Sequence, residues 1–283
     1  MRDLCIVATA ALGLGLMLYP SAAQWFFERG QAAEISGYFQ QVDSMPHEVR
    51  TDLLSQAEAY NSSLPPGPFR DPYTIGEGTD LAATQVANEQ YRSLLNTDGT
   101  QVMGRVRIPS IHVDLPIYHG TDEETLARGA GHLPPSSLPV GGAGTHAVIT
   151  AHSGLANAPL FTDLDKVALG DTFMIDVLGE TLYYRVDQIL VVAPTNVDAL
   201  QIVPGKDYVT LVTCTPLWVN SHRLLVRGER IPAPPQAAAV GERPVPPAQG
   251  PGVPWWALIE AAGVAGALVV TRTLLSKPAQ RRA

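Results

Sequence analysis

The segment Thr210-Leu211-Val212-Thr213-Cys214-Thr215-Pro216 reads as a β-strand that runs into a cysteine. Val, Leu and Thr suit a pleated strand, and Pro216 stops one because it cannot donate to a ladder. A thiol at a strand end beside a loop is reachable from solvent, whereas a mid-strand thiol facing a core is not. The competing reading is an inert buried cysteine, since free Cys is among the most buried residue types. Nine residues on, Arg223 opens another β-type run, Arg223-Leu224-Leu225-Val226-Arg227-Gly228. Paired as neighbours, the two strands put Cys214 and Arg223 at one end of a sheet. A guanidinium is always charged and presents several donors. Beside a thiol it favours the thiolate, and it can hold the oxyanion that forms when a thiolate attacks a carbonyl. Taken alone, Arg223 reads as a solvated strand residue.

A third run, Ile149-Thr150-Ala151-His152-Ser153-Gly154, also ends in a residue fit for catalysis at a loop. An imidazole near a thiol supplies the acid/base function of acyl transfer. The chain has seven histidines. His47 falls in an N-terminal helical stretch, and His112, His119, His132 and His146 sit among turn residues. His222 precedes Arg223 and points to the opposite face by strand alternation. A zinc site of His146, His152 and Cys214 fits no standard ligand spacing and lacks a second Cys. The other cysteine, Cys5, lies in an N-terminal apolar run, so the two do not read as a disulfide framework.

ITAHSGLANAPLFTDLDKVALGD (149–171) and TLVTCTPLWVNSHRLLVRGER (210–230) together resemble the sortase signature. That signature has a His-containing block, a TL-x-TC block and an Arg nine residues after the Cys. Block order, spacing and flanking residues agree at once, and the resemblance covers residues 35–230, strongest from 100 onward. It implies a cysteine transpeptidase in which His152, Cys214 and Arg223 take the catalytic roles. Three features are similar to class C, the pilus-assembling group: the wording of Cys214–Gly228, an apolar run after the catalytic domain, and Asp71-Pro72-Tyr73. The tripeptide resembles that group's lid motif, which implies Asp71 near Arg223 and Tyr73 against Cys214. Class C members often carry an aromatic or Gly directly after the Cys-Thr-Pro; here Leu217 stands there, followed by Trp218. The implied reaction is cleavage of an LPxTG-like sorting signal between Thr and Gly through a thioester, resolved by a Lys amine of a pilin subunit. The implied partners are secreted pilin or surface proteins with such signals, and the membrane of a Gram-positive cell; no cofactor and no metal is required. A housekeeping sortase, which uses a peptidoglycan amine, shares all three residues. A non-catalytic, membrane-tethered assembly module would leave Cys214 dispensable.

Elements must bring these residues together. After residue 100, β-type runs appear at 102–108, 111–118, 147–151, 172–177, 181–192, 207–214 and 223–228, separated by Gly, Pro and Asp turns. Residues 122–129 and 158–168 read as short helices. Many short strands with turns predict an all-β barrel or sandwich with inserted helices, and the resemblance implies that it is a closed sortase-like β-barrel, mainly β. Upstream, residues 32–60 read as helix, with Ile35, Tyr38, Phe39 and Val42 at i, i+3, i+4, i+7, and Val49, Leu53, Ala57 and Tyr60 at i, i+4, i+8, i+11. Ser44 and Pro46 mark a break and restart.

The ends predict membrane attachment. Residues 4–19 are apolar, follow Arg2 and lead to Trp25, Phe26 and Phe27, which suit an interfacial belt. An uncleaved anchor is preferred over a signal peptide cut near Ser21-Ala22-Ala23; both export the domain. Residues 253–275 form a second apolar run, interrupted by Glu260 and Arg272 and followed by Lys277, Arg281 and Arg282, which place the C-terminus in the cytoplasm. A packed apolar helix is the alternative. The eight prolines of 231–254 favour extended chain. The expected organisation is an anchor or signal (1–27), a helical region (28–65), a lid loop (66–80), the catalytic barrel (81–230), a Pro-rich linker (231–253), a transmembrane helix (254–275) and a basic cytoplasmic tail (276–283). The domain is then extracytoplasmic. A net charge of −8 with no basic stripe argues against nucleic acid as a partner.

Overall fold

The structure is a computed structural model that describes residues 2–64, 89–97, 100–235, 247–248 and 250–275. It divides into two compact units. One comprises Met1–Arg29, Ala156–Ala158 and Gly250–Ala283; the other comprises Gly30–Leu155 and Pro159–Gln249.

In the first unit the elements are helical. Helix α1 (Arg2–Ser44) runs unbroken through residues 27 and 28, with Pro20 inside it. The C-terminal apolar run forms α4 (Trp255–Leu275). Both helices are long and apolar enough to cross a membrane. Gly263 of α4 has no side chain, and the Leu14 side chain of α1 occupies the space where a Cβ would stand; small residues permit such close approach between apolar helices. Trp25 packs edge-on against Trp256, ring centroids 6.4 Å apart, and donates its indole N–H to Gly252 O at 3.0 Å.

The second unit is built around eight strands: β1 (Val102–Ile108), β2 (Val113–His119), β3 (Ala130–His132), β4 (Thr145–Thr150), β5 (Thr172–Val177), β6 (Glu180–Val192), β7 (Asp207–Thr215) and β8 (His222–Ile231). They close into a barrel in the order β1-β2-β3-β4-β7-β8-β6-β5, with β5 pairing back onto β1. The pairs β2/β3 and β4/β7 are parallel and the others antiparallel. Closure leaves no long unpaired edge within the ladder. Every residue of β4 is buried, as expected of a strand covered on both faces. Val148 there packs with Leu133, Leu200, Val212 and Leu225 in one core cluster.

Within this unit, residues 30–44 of α1 and a second helix pack on the barrel. The stripe Ile35, Tyr38, Phe39 and Val42 is buried, and full burial of such a side chain is worth about 1.5–3 kcal/mol over exposure. Tyr38 also donates to Met103 O at 3.2 Å and accepts from Leu178 N at 2.9 Å. After the break at Pro46, α2 (His47–Ser63) buries Ala57 and Asn61. Asn61 docks the helix by accepting from Leu138 N (2.7 Å) and donating to Leu138 O (3.1 Å). Val49 of the expected α2 stripe is exposed instead.

Three local expectations give way. The expected strand start at 111 is taken by a 3-10 turn (Pro109–Ile111) with His112 left-handed at φ 56°, so β2 begins at Val113. Residues 158–168 form turns and one 3-10 turn (Leu164–Lys166) rather than a helix. The third is β3, which reads as turn residues because it is Ala-Gly-His. Residues 122–129 do contain a helix, α3 (Glu123–Arg128), capped by Asp122, whose carboxylate accepts from Thr125 N at 3.0 Å.

Candidate active site

The strand order brings β4, β7 and β8 side by side. Because β4 and β7 are parallel, both deliver their C-terminal ends to one rim, and antiparallel β8 begins there. Cys214 is the penultimate residue of β7 and is half-buried. Its direct partner in the β7/β8 register is Arg223, the second residue of β8. Residues directly opposite in an antiparallel pair project from the same face, so thiol and guanidinium share one face of the rim. In the parallel pair, Thr150 stands opposite Val212. The ladder ends there, and His152 follows two residues past the end of β4, in the loop that leaves the same rim.

Arg223 is only 9% exposed. Its Nη1 donates to Asn220 O at 3.1 Å and His222 O at 3.2 Å. His222 opens β8, and Asn220 belongs to the β7–β8 turn, where Pro216 O accepts from Val219 N and Asn220 N. Trp218 and Asn220 take positive φ there, 69° and 57°. Asn tolerates that region; a Trp in it is uncommon. The turn leaves Leu217, Trp218 and Val219 exposed, Trp218 at 73%. His222 is exposed and faces Ser221.

The His152 loop is stitched to β7. Ala151 N donates to Val212 O at 3.2 Å, Thr213 Oγ1 to Ala151 O at 2.8 Å, and Ser153 Oγ to Cys214 O at 2.8 Å. Phe161 N donates to His152 O at 3.0 Å from the far side of the loop. Gly154 turns the chain at φ +77°, and a Cβ there would lie 2.8 Å from Leu217 Cδ1, so only Gly fits. Burial pushes the His152 imidazole below its ordinary value, and the Glu123 carboxylate at the start of α3 partly counteracts this. At neutral pH His152 is therefore predominantly neutral and able to accept a proton.

Two histidines expected among turns lie in strands and are buried. Their flanks carry Gly, Pro and Thr, which disguises the strands. His132 on β3 faces the Tyr91 hydroxyl at 2.7 Å and Ser137 O at 2.8 Å. His146 on β4 faces Gln201 O at 2.9 Å and Thr210 Oγ1 at 2.7 Å. Both His146 nitrogens are thus engaged six residues up the chain from His152. Among the described residues there is no cluster of His, Cys, Asp and Glu suited to a metal ion. Asp71, Pro72 and Tyr73 lie outside the described residues. Sequence reasoning singles out neither Ser153 nor Thr213, whose part depends on the β4/β7 register.

The sortase-domain family model matches residues 106–231. Among solved structures, sortase C-1 of Actinomyces oris is 48% identical and aligns over 66% of this chain and 99% of its own, with a TM-score of 0.61. Sortase C of Streptococcus pneumoniae is 42% identical over 71% of this chain and 98% of its own, TM-score 0.63. Sortase C1 of Streptococcus agalactiae is 44% identical over 73% and 98%, TM-score 0.64. Among curated relatives, sortase A of Bacillus anthracis is 31% identical over 134 residues, or 47% of this chain. The matched stretch spans less than two thirds of that relative, 62%, and 41% of sortase SrtE1 of Streptomyces coelicolor. An eight-stranded barrel with Cys214 opposite Arg223 at its rim, matched over almost the full length of several sortases C at 42–48% identity, places this chain in the sortase family.

Proposed function

We propose that the chain is a class C sortase: a membrane-tethered cysteine transpeptidase that joins pilin subunits. The observation that supports the chemistry is the meeting of three adjacent strands at one rim, with Cys214 paired to Arg223 and the His152 loop hydrogen-bonded to β7 through Ala151 and Ser153. His152 takes the Cys214 proton as the sulfur attacks the Thr carbonyl of an LPxTG-like signal. The carbonyl π electrons move to oxygen, and Arg223 donors stabilise that oxyanion. As the C–N bond to Gly breaks, His152 passes its proton to the leaving amine. A thioester remains on Cys214. A Lys amine of a second subunit attacks it, loses its proton to His152, and expels the thiolate, giving an isopeptide bond.

The pilin assignment draws on relatives. The Streptococcus pneumoniae sortase C structure is described in terms of catalysis and pilin substrate specificity, and another similar structure is sortase C1 of a pilus island. The likeness to sortase A of Bacillus anthracis supports a second reading, with a peptidoglycan amine as acceptor. In the class C reading Asp71-Pro72-Tyr73 forms a lid over the thiol, and both apolar helices span the membrane with the barrel outside and the C-terminus in the cytoplasm. Deletion of 66–80 that changes neither pilin polymerisation nor the rate of thiol alkylation would remove the lid.

The deciding experiment incubates the full chain with sorting-signal peptides and reads the Cys214 adduct by mass spectrometry. Wild type acquires the mass of the acyl fragment and Cys214→Ala does not, while both keep the barrel. Linkage of pilins by Cys214→Ala would overturn the reaction. Adding a pilin Lys peptide or a peptidoglycan amine then shows which acceptor resolves the thioester.

A further inference from the structure

In a parallel ladder, donors recur every second residue along one strand. Ala151 N donates to Val212 O at 3.2 Å, so the next rung would run from Ser153 N to Cys214 O. The rung is made instead by the Ser153 side chain, whose hydroxyl donates to Cys214 O at 2.8 Å. This substitution lets the backbone leave the sheet. Gly154, at φ +77°, turns away against Leu217, and its N–H donates to Thr162 Oγ1 at 3.0 Å. His152 is therefore bracketed by two attachments to β7, one through Ala151 and one through Ser153. Thr213 Oγ1 reinforces the first by donating to Ala151 O. The second attachment rests on one hydroxyl, and it ends on the carbonyl of the proposed nucleophile itself.

We propose that Ser153 is a positioning residue of the transpeptidation: its hydroxyl, bonded to the Cys214 carbonyl, holds the His152 imidazole beside the Cys214 sulfur. This rests on the reading of the site given above. Serine at this position acts through its neighbours and touches no reacting atom. Without the hydroxyl, the bond from Ser153 to β7 is lost in a loop that continues through half-buried Gly154 to exposed Leu155. Misplacing a catalytic group by about 1 Å costs up to roughly 10²-fold in rate. The imidazole also loses part of the burial that holds it below its ordinary value. The charged group that acts on it is the Glu123 carboxylate on α3; Cys214 on β7 and Arg223 on β8 belong to the same proposed site, and the substitution alters none of the three.

The test compares wild type, Ser153→Ala and Ser153→Thr in full-length protein, using a sorting-signal peptide as probe. Single-turnover formation of the Cys214 thioester is followed by mass spectrometry across pH 5–8 on the His titration range. Ser153→Ala should lower the maximal acylation rate by about 10–100-fold and leave the half-saturating peptide concentration within a few-fold. The acid limb of its profile should move up toward the ordinary imidazole value. Ser153→Thr, which keeps a hydroxyl on Cβ, should recover most of the rate and the original limb. A Ser153→Ala variant with unchanged rate and acid limb overturns the proposal, even if its melting temperature falls. So does a Ser153→Thr variant as slow as Ser153→Ala. If wild type itself forms no thioester, the transpeptidase reading fails and the positioning role with it; if wild type reacts and Ser153→Ala matches it, only the positioning role fails.

Discussion

Cys214 and Arg223 occupy one register position across two strands, so their relation is set by backbone pairing rather than by flexible side chains. The guanidinium is buried and oriented by the carbonyls of Asn220 and His222. That anchoring fixes the plane of the fork, and the plane decides where its donors point. Lys would keep the charge but present one rotating ammonium without a planar fork. Arg223→Lys is therefore expected to slow thioester formation by about 10²–10³-fold, the cost of one lost oxyanion donor, with little change in peptide binding. A rate within a few-fold of wild type would mean that Arg223 serves only as a positive charge. In the proposed site His152 joins them from the loop after β4, with burial lowering its affinity for a proton. A neutral imidazole suits the first step, in which the thiol must lose its proton.

At the scale of elements, Cys214 and Arg223 meet and the His152 loop leaves the same rim because two parallel strands and one antiparallel strand share it. The three candidate residues stand out in the sequence because each one ends or opens an apolar run, near Pro216 or Gly154. The strands of seven apolar runs were legible for the same reason, as was the Ile35–Val42 stripe. What was hidden is instructive. β3 has three residues, too few to show a period, and exists only because β2 and β4 flank it. The 158–168 segment has helical spacing but is spent on turns that return to the His152 loop, as in the bond from Phe161 N to His152 O. The hydroxyl of Ser153 had no signal of its own, since its partner is known only from the register. Nor did the charges inside the barrel wall announce themselves. Arg105, 1% exposed, makes a bidentate pair with Asp114 at 2.5 and 2.6 Å, and Arg107 does so with the fully buried Asp176 at 2.6 and 2.7 Å. Asp176 also accepts from Thr181 Oγ1 at 2.7 Å and lies 3.9 Å from Arg105. Breaking a buried pair by removing one partner costs about 3–5 kcal/mol, because the other charge is left uncompensated. Asp176→Ala should lose about that much in denaturant unfolding; a loss below about 1 kcal/mol would mean that the pair is solvated in solution.

Across the whole molecule, the barrel separates two kinds of histidine. His152 stands just past the end of β4, where the proposed reaction would use its proton affinity. His132 and His146 lie inside the wall, where desolvation pushes them down to about 3 and about 4, against 6.5 for the ordinary imidazole. Hydrogen bonds to the carbonyls of Ser137 and Gln201 counteract only part of that burial. Both therefore stay neutral in the folded chain at any pH near neutrality. The unfolded chain is different, since there each takes up a proton as pH falls through about 6.5. Below that point the unfolded state binds more protons than the folded one, so stability drops with falling pH. The contribution of the two histidines is complete above about 6.5 and is lost progressively down to about 4 for His146 and about 3 for His132. At pH 5 each is expected to have cost about 2 kcal/mol. Asp207 acts in the opposite sense, because burial raises its carboxyl and favours the folded state at low pH, whereas burial also lowers His119 and His152, which act in the same sense as the two wall histidines. Denaturant unfolding at pH 7 and pH 5 should thus show a loss of several kcal/mol, on the order of 3–4, and His146→Gln should shrink the difference by roughly half. Gln can still face Thr210 Oγ1 but cannot take a proton, so the variant separates titration from packing. A stability equal at the two pH values would show that water reaches these imidazoles inside the barrel wall.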